Sequence, residues 1–151
     1  MMRQTLRSVL RRGAGTAVLV LAATQAGWAG TQENVATVRN YFAAISGKDK
    51  PAATLSVYVS DEELKKHIAF LESAFPRYVL VSEDVVAQDD KVAVRARFQG
   101  THTGDLMGIA PTGKSVDVPF IIIYRMAGGR IAEHWLSIDQ MELLKQLGVA
   151  K

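Results

Sequence analysis

Asp139 and three histidines, His67, His102 and His134, are the residues of this 151-residue chain whose types and settings suit proton transfer. A carboxylate or imidazole works as a general acid or base when an apolar, water-poor setting moves its pKa toward working pH. His102 falls on the same period-two register as Val92, Val94, Ala96 and Phe98, hence on the buried face of its strand. There it is either a pocket residue or a core histidine satisfied by a backbone carbonyl or a hydroxyl. His134 stands between Glu133 and Trp135 on a strand with apolar residues on both faces, so its facing stays open. His67, beside Leu64 and Leu71, reads as the edge of a helix's packing stripe. Asp139 ends a strand in register with Trp135 and Ser137, where it would point into a pocket beside the indole. Asp139-Gln140-Met141-Glu142 is equally a helix N-cap with Glu at the third position. Both readings stand at this point.

Other chemistries are excluded or unsupported. The chain has no cysteine, which rules out a disulfide scaffold, a thiolate zinc site and a cysteine nucleophile. Three dispersed histidines show no paired metal-ligand spacing, so no metal is expected. Gly108-Ile109-Ala110-Pro111-Thr112-Gly113-Lys114-Ser115 matches the phosphate-binding pattern G-x-x-x-x-G-K-[ST] letter for letter. That motif requires a helix after the loop, with its N–H groups facing the phosphates. Here Val116 to Tyr124, rich in β-branched residues and containing Pro119, reads as a strand, and the segment is expected to be a turn. Leu106, Met107 and Ile109 would form an apolar lip at one end of the sheet. No nucleotide partner is expected.

The elements that position these residues follow from periodicity. Val35, Val38, Phe42 and Ile45 recur at helical spacing, and Gly47 is a natural stop, which predicts a helix over 32–46. Pro51 suits the first turn of a short second helix. Ser60-Asp61-Glu62-Glu63 has the form of a capping box, with Ser60 as N-cap and Glu63 reaching back. Leu64, Ile68, Leu71 and Phe75 continue that helix's apolar stripe to Pro76. Strands follow from about Tyr78 to Ala87, along Val92–Phe98, over 116–126 and from Ile131 to Ile138. Asp89-Asp90 and Gly128-Gly129 supply turns, and a short helix closes at Leu147. Helices first and antiparallel strands afterwards make an α+β domain. Helices laid on one face of a curved sheet leave a concave, pocket-forming space.

The charge count has to be split. The chain carries 18 Lys and Arg against 15 Asp and Glu, but Arg3, Arg7, Arg11 and Arg12 precede the first acidic residue, Glu33. Residues 30–151 hold 14 basic against 15 acidic residues, which argues against a nucleic-acid partner. Residues 1–29 read as an export signal: a basic start, an apolar core of about ten residues, and small residues at Gly27 and Ala29. Such a core is well short of the roughly 20 residues a membrane helix needs. The expectation is a periplasmic or secreted domain over 30–151, with no membrane contact after cleavage and the Sec or twin-arginine route open.

Arg97-Phe98-Gln99-Gly100-Thr101-His102-Thr103-Gly104 and Gly108-Ile109-Ala110-Pro111-Thr112-Gly113-Lys114 resemble the SnoaL-like polyketide cyclase, or ester cyclase, family. So do Gly129-Arg130-Ile131-Ala132-Glu133-His134-Trp135 with Asp139, and the closing Gln146-Leu147-Gly148. The resemblance implies the nuclear-transport-factor-2-like fold, a cone of strongly curved antiparallel sheet with N-terminal helices over its concave face, and an apolar cavity. It implies ring closure by intramolecular aldol condensation without cofactor or metal. Asp139 matches the family's acid/base, and His102 and His134 match positions that polarise a substrate carbonyl. Tyr41 and Trp135 would touch a small hydrophobic carbonyl compound. The family's antibiotic-pathway cyclases act inside the cell, whereas this chain carries a leader, so a polyketide substrate does not follow from the resemblance. The alternative is a non-catalytic periplasmic binding protein for a small hydrophobic ligand. Lys91, Arg95, Arg97 and Gln99 make one outer strand polar and leave other surfaces for a homo-oligomer.

Overall fold

The computed structural model describes residues 16–150, with side-chain surroundings from Gly30 onward. The basic start of the expected export signal and the side chains of its apolar core lie outside the described residues. Among the described residues, no helix is long and apolar enough to cross a membrane.

Three helices precede the sheet: α1 (Thr16–Ile45), α2 (Ala52–Tyr58) and α3 (Glu62–Ala74). The expected first helix is present but begins upstream of residue 32. It buries Val38, Tyr41, Phe42 and Ile45, the residues that helical spacing puts on one face. Each such side chain contributes about 1.5–3 kcal/mol by leaving water. Gly47, at φ 68°, turns the chain after α1, and its N–H donates to the Tyr78 carbonyl at 2.9 Å.

The cap of α3 differs from the sequence expectation. Asp61, not Ser60, is the N-cap: its Oδ1 accepts from the N–H groups of Glu63 (3.0 Å) and Leu64 (3.1 Å). Ser60 is drawn away because Val59 bridges to Ile131, and both its N–H and its Oγ donate to the Ile131 carbonyl. Glu63 pairs with Lys66 instead.

The sheet is β1 (Val79–Gln88), β2 (Lys91–Thr101), β3 (Ser115–Ala127) and β4 (Arg130–Ile138), antiparallel throughout in the order β1-β2-β3-β4. Val92, Val94, Ala96 and Phe98 are buried, and so are Val116, Val118, Phe120, Ile122, Tyr124 and Met126 of β3. These inner faces pack under α1 and α3. The outer face carries ion pairs that neutralise one another, Arg95 with Glu83 and Asp84, Arg97 with Asp117, and Arg125 with Glu133. Gly128 and Gly129 both take positive φ, 56° and 73°, as a tight two-residue hairpin requires.

The segment 108–115 is no phosphate loop. Ser115 opens β3, and the Gly113 N–H is spent on the His102 carbonyl while the Lys114 carbonyl accepts from His102. The Lys114 amine lies against Gly148, the left-handed C-cap of α4 (Gln140–Leu147), where a cation is favoured by the helix dipole. Of the expected lip, Leu106 is buried and only Met107 stands out, 75% exposed.

Candidate active site

The concave face of the sheet and the helices enclose two chambers that share His67, Leu71, Phe98, Leu136 and Ile138. The inner one, about 50 Å³, is closed at depth by Tyr41, Tyr78 and Tyr124. The outer one, about 280 Å³, opens past Phe70, Phe75, Leu106, Met107 and the first residues of α4. In the inner chamber the polar groups are three phenol hydroxyls and one imidazole. In the outer they are that same imidazole and the Gln140 amide.

The tyrosines come from different elements. Tyr41 faces inward from α1, Tyr124 follows the buried phase of β3, and Tyr78 lies between α3 and β1. The Tyr41 and Tyr124 rings meet edge to face at 6.1 Å, and Tyr78 packs on Phe98 at 5.0 Å. Burial pushes all three phenols well above their ordinary pKa, with mutual repulsion of the ionised forms adding to it. They are therefore neutral, and the Tyr41 and Tyr124 hydroxyls hydrogen-bond to each other. The Lys50 ammonium sits 3.8 Å from the Tyr78 ring centroid, on the ring, and pairs with Glu72 at 2.6 Å.

His67 lies one helical turn after Leu64 and one before Leu71, on the inward stripe of α3 rather than at its edge. Burial first, and the neighbouring His134 second, hold its pKa below the usual histidine value. Among the described residues neither of its ring nitrogens has a hydrogen-bond partner, so a neutral imidazole with an available lone pair faces both chambers. His134 stands beside it, ring centroids 6.1 Å apart, and its Nδ1 bonds Asp61 Oδ2 at 2.8 Å. Desolvation raises the Asp61 carboxyl. The His134 bond, the N–H groups of Leu64 and Glu63 and the His134 charge outweigh that, and the carboxyl sits below its ordinary range. Ionised Asp61 is acceptor only, which puts a proton on His134 Nδ1 and fixes that ring's orientation.

His102 is fully buried but lines neither chamber. The Thr112 N–H donates to its Nδ1 at 3.2 Å, and the Thr112 hydroxyl is 3.1 Å from the same atom. The proton is therefore on Nε2, which has no partner among the described residues, and the ring stacks on Phe75 at 5.1 Å.

Two expected site residues fall outside the cavity. Along β4 the inward phase is His134, Leu136 and Ile138, so Trp135 and Ser137 are on the outer face. Trp135 is 49% exposed and opposite Ile123 in the register, where no cavity ligand reaches it. Asp139 continues that outward phase. It is exposed, lines neither chamber, and its Oδ1 accepts the Glu142 N–H at 2.9 Å as the N-cap of α4. Of the residues singled out from sequence, the structure brings Tyr41 to the cavity and His134 to its flank. His67 reaches the cavity although its stripe was read as packing alone. Tyr78 and Tyr124 were missed, although Tyr124 shares the alternation of Phe120 and Ile122. Among the described residues no group of three metal-ligating side chains gathers.

Comparison with known proteins gives the class. The sequence model of the SnoaL-like polyketide cyclases matches residues 18–147, and the chain belongs to that family. Its fold is shared with a candidate SnoaL-like polyketide cyclase from Jannaschia sp. CCS1, at 25% identity over 80% of this chain and 95% of that one, TM-score 0.71. IdmH of Streptomyces antibioticus, a candidate polyketide cyclase, is 27% identical over 77% of this chain and 99% of its own, TM-score 0.63. AclR of Streptomyces galilaeus, a candidate hydroxylase, is 26% identical over 78% and 82%, TM-score 0.68. No curated protein matches the chain. The family and these neighbours support a cyclase-like enzyme.

Proposed function

We propose that this protein is an exported, cofactor-free enzyme that removes a proton next to a carbonyl, with His67 as the base. The observation that carries the reading is a neutral imidazole, without a hydrogen-bond partner among the described residues, at the junction of two apolar chambers, with three buried tyrosines lining the inner one. In the reaction, an imidazole nitrogen of His67 takes the proton from the α-carbon. The C–H electron pair moves into the enolate, and its oxygen is held by tyrosine O–H donors. Preorganised donors in a water-poor site stabilise such an oxyanion strongly. If the enolate carbon then attacks a second carbonyl of the same molecule, a C–C bond closes the ring. The resulting alkoxide recovers the proton from His67. Without a second carbonyl, return of the proton gives exchange or isomerisation.

Asp139 does not serve in this scheme, because its carboxylate is exposed, caps α4 and lines neither chamber, although Ile138 and Gln140 on either side of it do. The test is deuterium exchange at the α-carbon of neutral ketones and esters, followed by NMR. The wild type accelerates exchange. His67→Gln lowers the rate by about 10²–10⁴-fold, the usual worth of a general base. Asp139→Asn leaves it unchanged, since Asn caps nearly as well as Asp. Retained exchange in His67→Gln, or its loss in Asp139→Asn, overturns the assignment and in the second case returns the base to Asp139. The almost wholly apolar outer chamber also favours a second reading, a periplasmic binding protein for a small hydrophobic ligand. Ligand binding with no exchange in the wild type selects it.

A further inference from the structure

The chambers differ in a way that selects a ligand. Tyr41, Tyr78 and Tyr124 line the inner chamber and not the outer one, and the inner chamber's 50 Å³ holds about four water-sized groups. The outer chamber is walled by Leu71, Phe75, Phe98, Leu106 and Leu143. Its 280 Å³ is roughly twice the 150 Å³ of a cavity that takes one benzene ring. Among the described residues, no Asp, Glu, Lys or Arg lines either chamber. Lys50, whose ammonium sits on the Tyr78 ring, lines neither chamber and is already paired with Glu72.

We propose that the site takes a neutral, elongated apolar carbonyl compound of about ten carbons, carbonyl end first, and rejects the carboxylate of the same length. Only a head of a few atoms fits beyond His67, and the hydroxyls there donate to a carbonyl oxygen. The body remains in the outer chamber, against apolar side chains. A carboxylate entering head-first would lose its hydration and meet no cation, a cost that neutral donors do not offset. Neutral His67 does not supply the missing charge. At the outer rim, Met107 is held in the left-handed backbone region (φ 50°) and faces solvent. It also lines the outer chamber, where it covers the far end of the chain. A polycyclic skeleton exceeds the inner chamber and is excluded from the same orientation.

The inference rests on the site proposed above, and titration calorimetry tests it independently of turnover. The full chain is titrated at pH 7.5 with 2-decanone, 2-pentanone and decanoate. The ketone of ten carbons binds at least tenfold more tightly than decanoate. Met107→Ser, a change at an exposed position that the fold tolerates, weakens 2-decanone several-fold and leaves 2-pentanone unaffected. Decanoate binding as well as 2-decanone, or no binding of either, overturns the inference, as does indifference of 2-decanone to Met107→Ser. Discriminating binding without α-proton exchange keeps this inference and removes the proton-transfer reading. Exchange with equal binding of ketone and acid does the reverse.

Discussion

At the scale of single residues, the roles divide by what surrounds each polar atom. His102 and His67 are both imidazoles in an apolar setting. One has Nδ1 tied to Thr112 and its ring packed on Phe75, while the other has no hydrogen-bond partner among the described residues and lines both chambers. His102 is thus a strut. His102→Ala removes a fully buried side chain and leaves the Thr112 N–H without its acceptor, so unfolding in denaturant should show a loss of about 3–4 kcal/mol. The α-proton exchange rate per folded molecule should be unaltered. A variant of unchanged stability and lost exchange would instead put His102 in the site.

At the scale of elements, α3 concentrates the site. Its cap, Asp61, orients His134, and His67 follows within two turns on the inward stripe. The two groups give the helix a definite pH dependence. The folded pKa of His67 is below its ordinary 6.5, so the unfolded chain binds more protons as pH falls past that value. Its contribution is present above pH 6.5 and is lost as pH falls toward the folded pKa. Asp61, lowered from 3.8, acts in the same sense: its contribution is present above that value and goes as the pH falls through the folded pKa. Wild-type stability should therefore decline in two steps on acidification. In His67→Gln the step just below pH 6.5 should be absent, and in Asp61→Asn the one below pH 4. Denaturation midpoints measured from pH 8 to pH 3 separate them. A single step unaffected by either substitution contradicts the assignment.

The same elements show what could be read from sequence. The alternation of β2 named its buried face correctly because a strand's period is two and one face is wet. The Gly128-Gly129 turn and the absence of a phosphate loop were legible because both depend on neighbours in the chain. Residues in phase were also legible: Trp135, Ser137 and Asp139 do share a face. Which face is concave was not, because that is decided by α1 and α3 packing on the other side. Ser60 was read as the cap since its displacement depends on Ile131, 71 residues away. His67 looked like packing for a similar reason, as the space in front of it is made by β3, β4 and α4.

At the scale of the whole molecule, the chambers exist only if the helical layer and the far end of the sheet keep their distance, and one joint sets it. The N–H groups of Thr103 and Gly104, just past β2, both donate to the Ala74 carbonyl at the end of α3, each at 3.0 Å. Gly104 lies so close that an added Cβ would overlap the Ser73 carbonyl oxygen and crowd the Ala74 backbone. This is backbone against backbone, with no flexible side chain to yield. Gly104→Ala must therefore push the 102–114 segment away from α3, straining a packed joint and weakening at least one hydrogen bond. The expected cost is about 2–4 kcal/mol, read as a lowered denaturation midpoint. Because Phe75, Leu106 and Met107 all lie beside this joint, the outer chamber changes shape with it. Affinity for 2-decanone should fall more than that for 2-pentanone, which leaves only the end of its short chain in the outer chamber. Equal weakening of both ketones would mean that the two chambers open as one, and that the joint holds the whole cleft rather than its outer half.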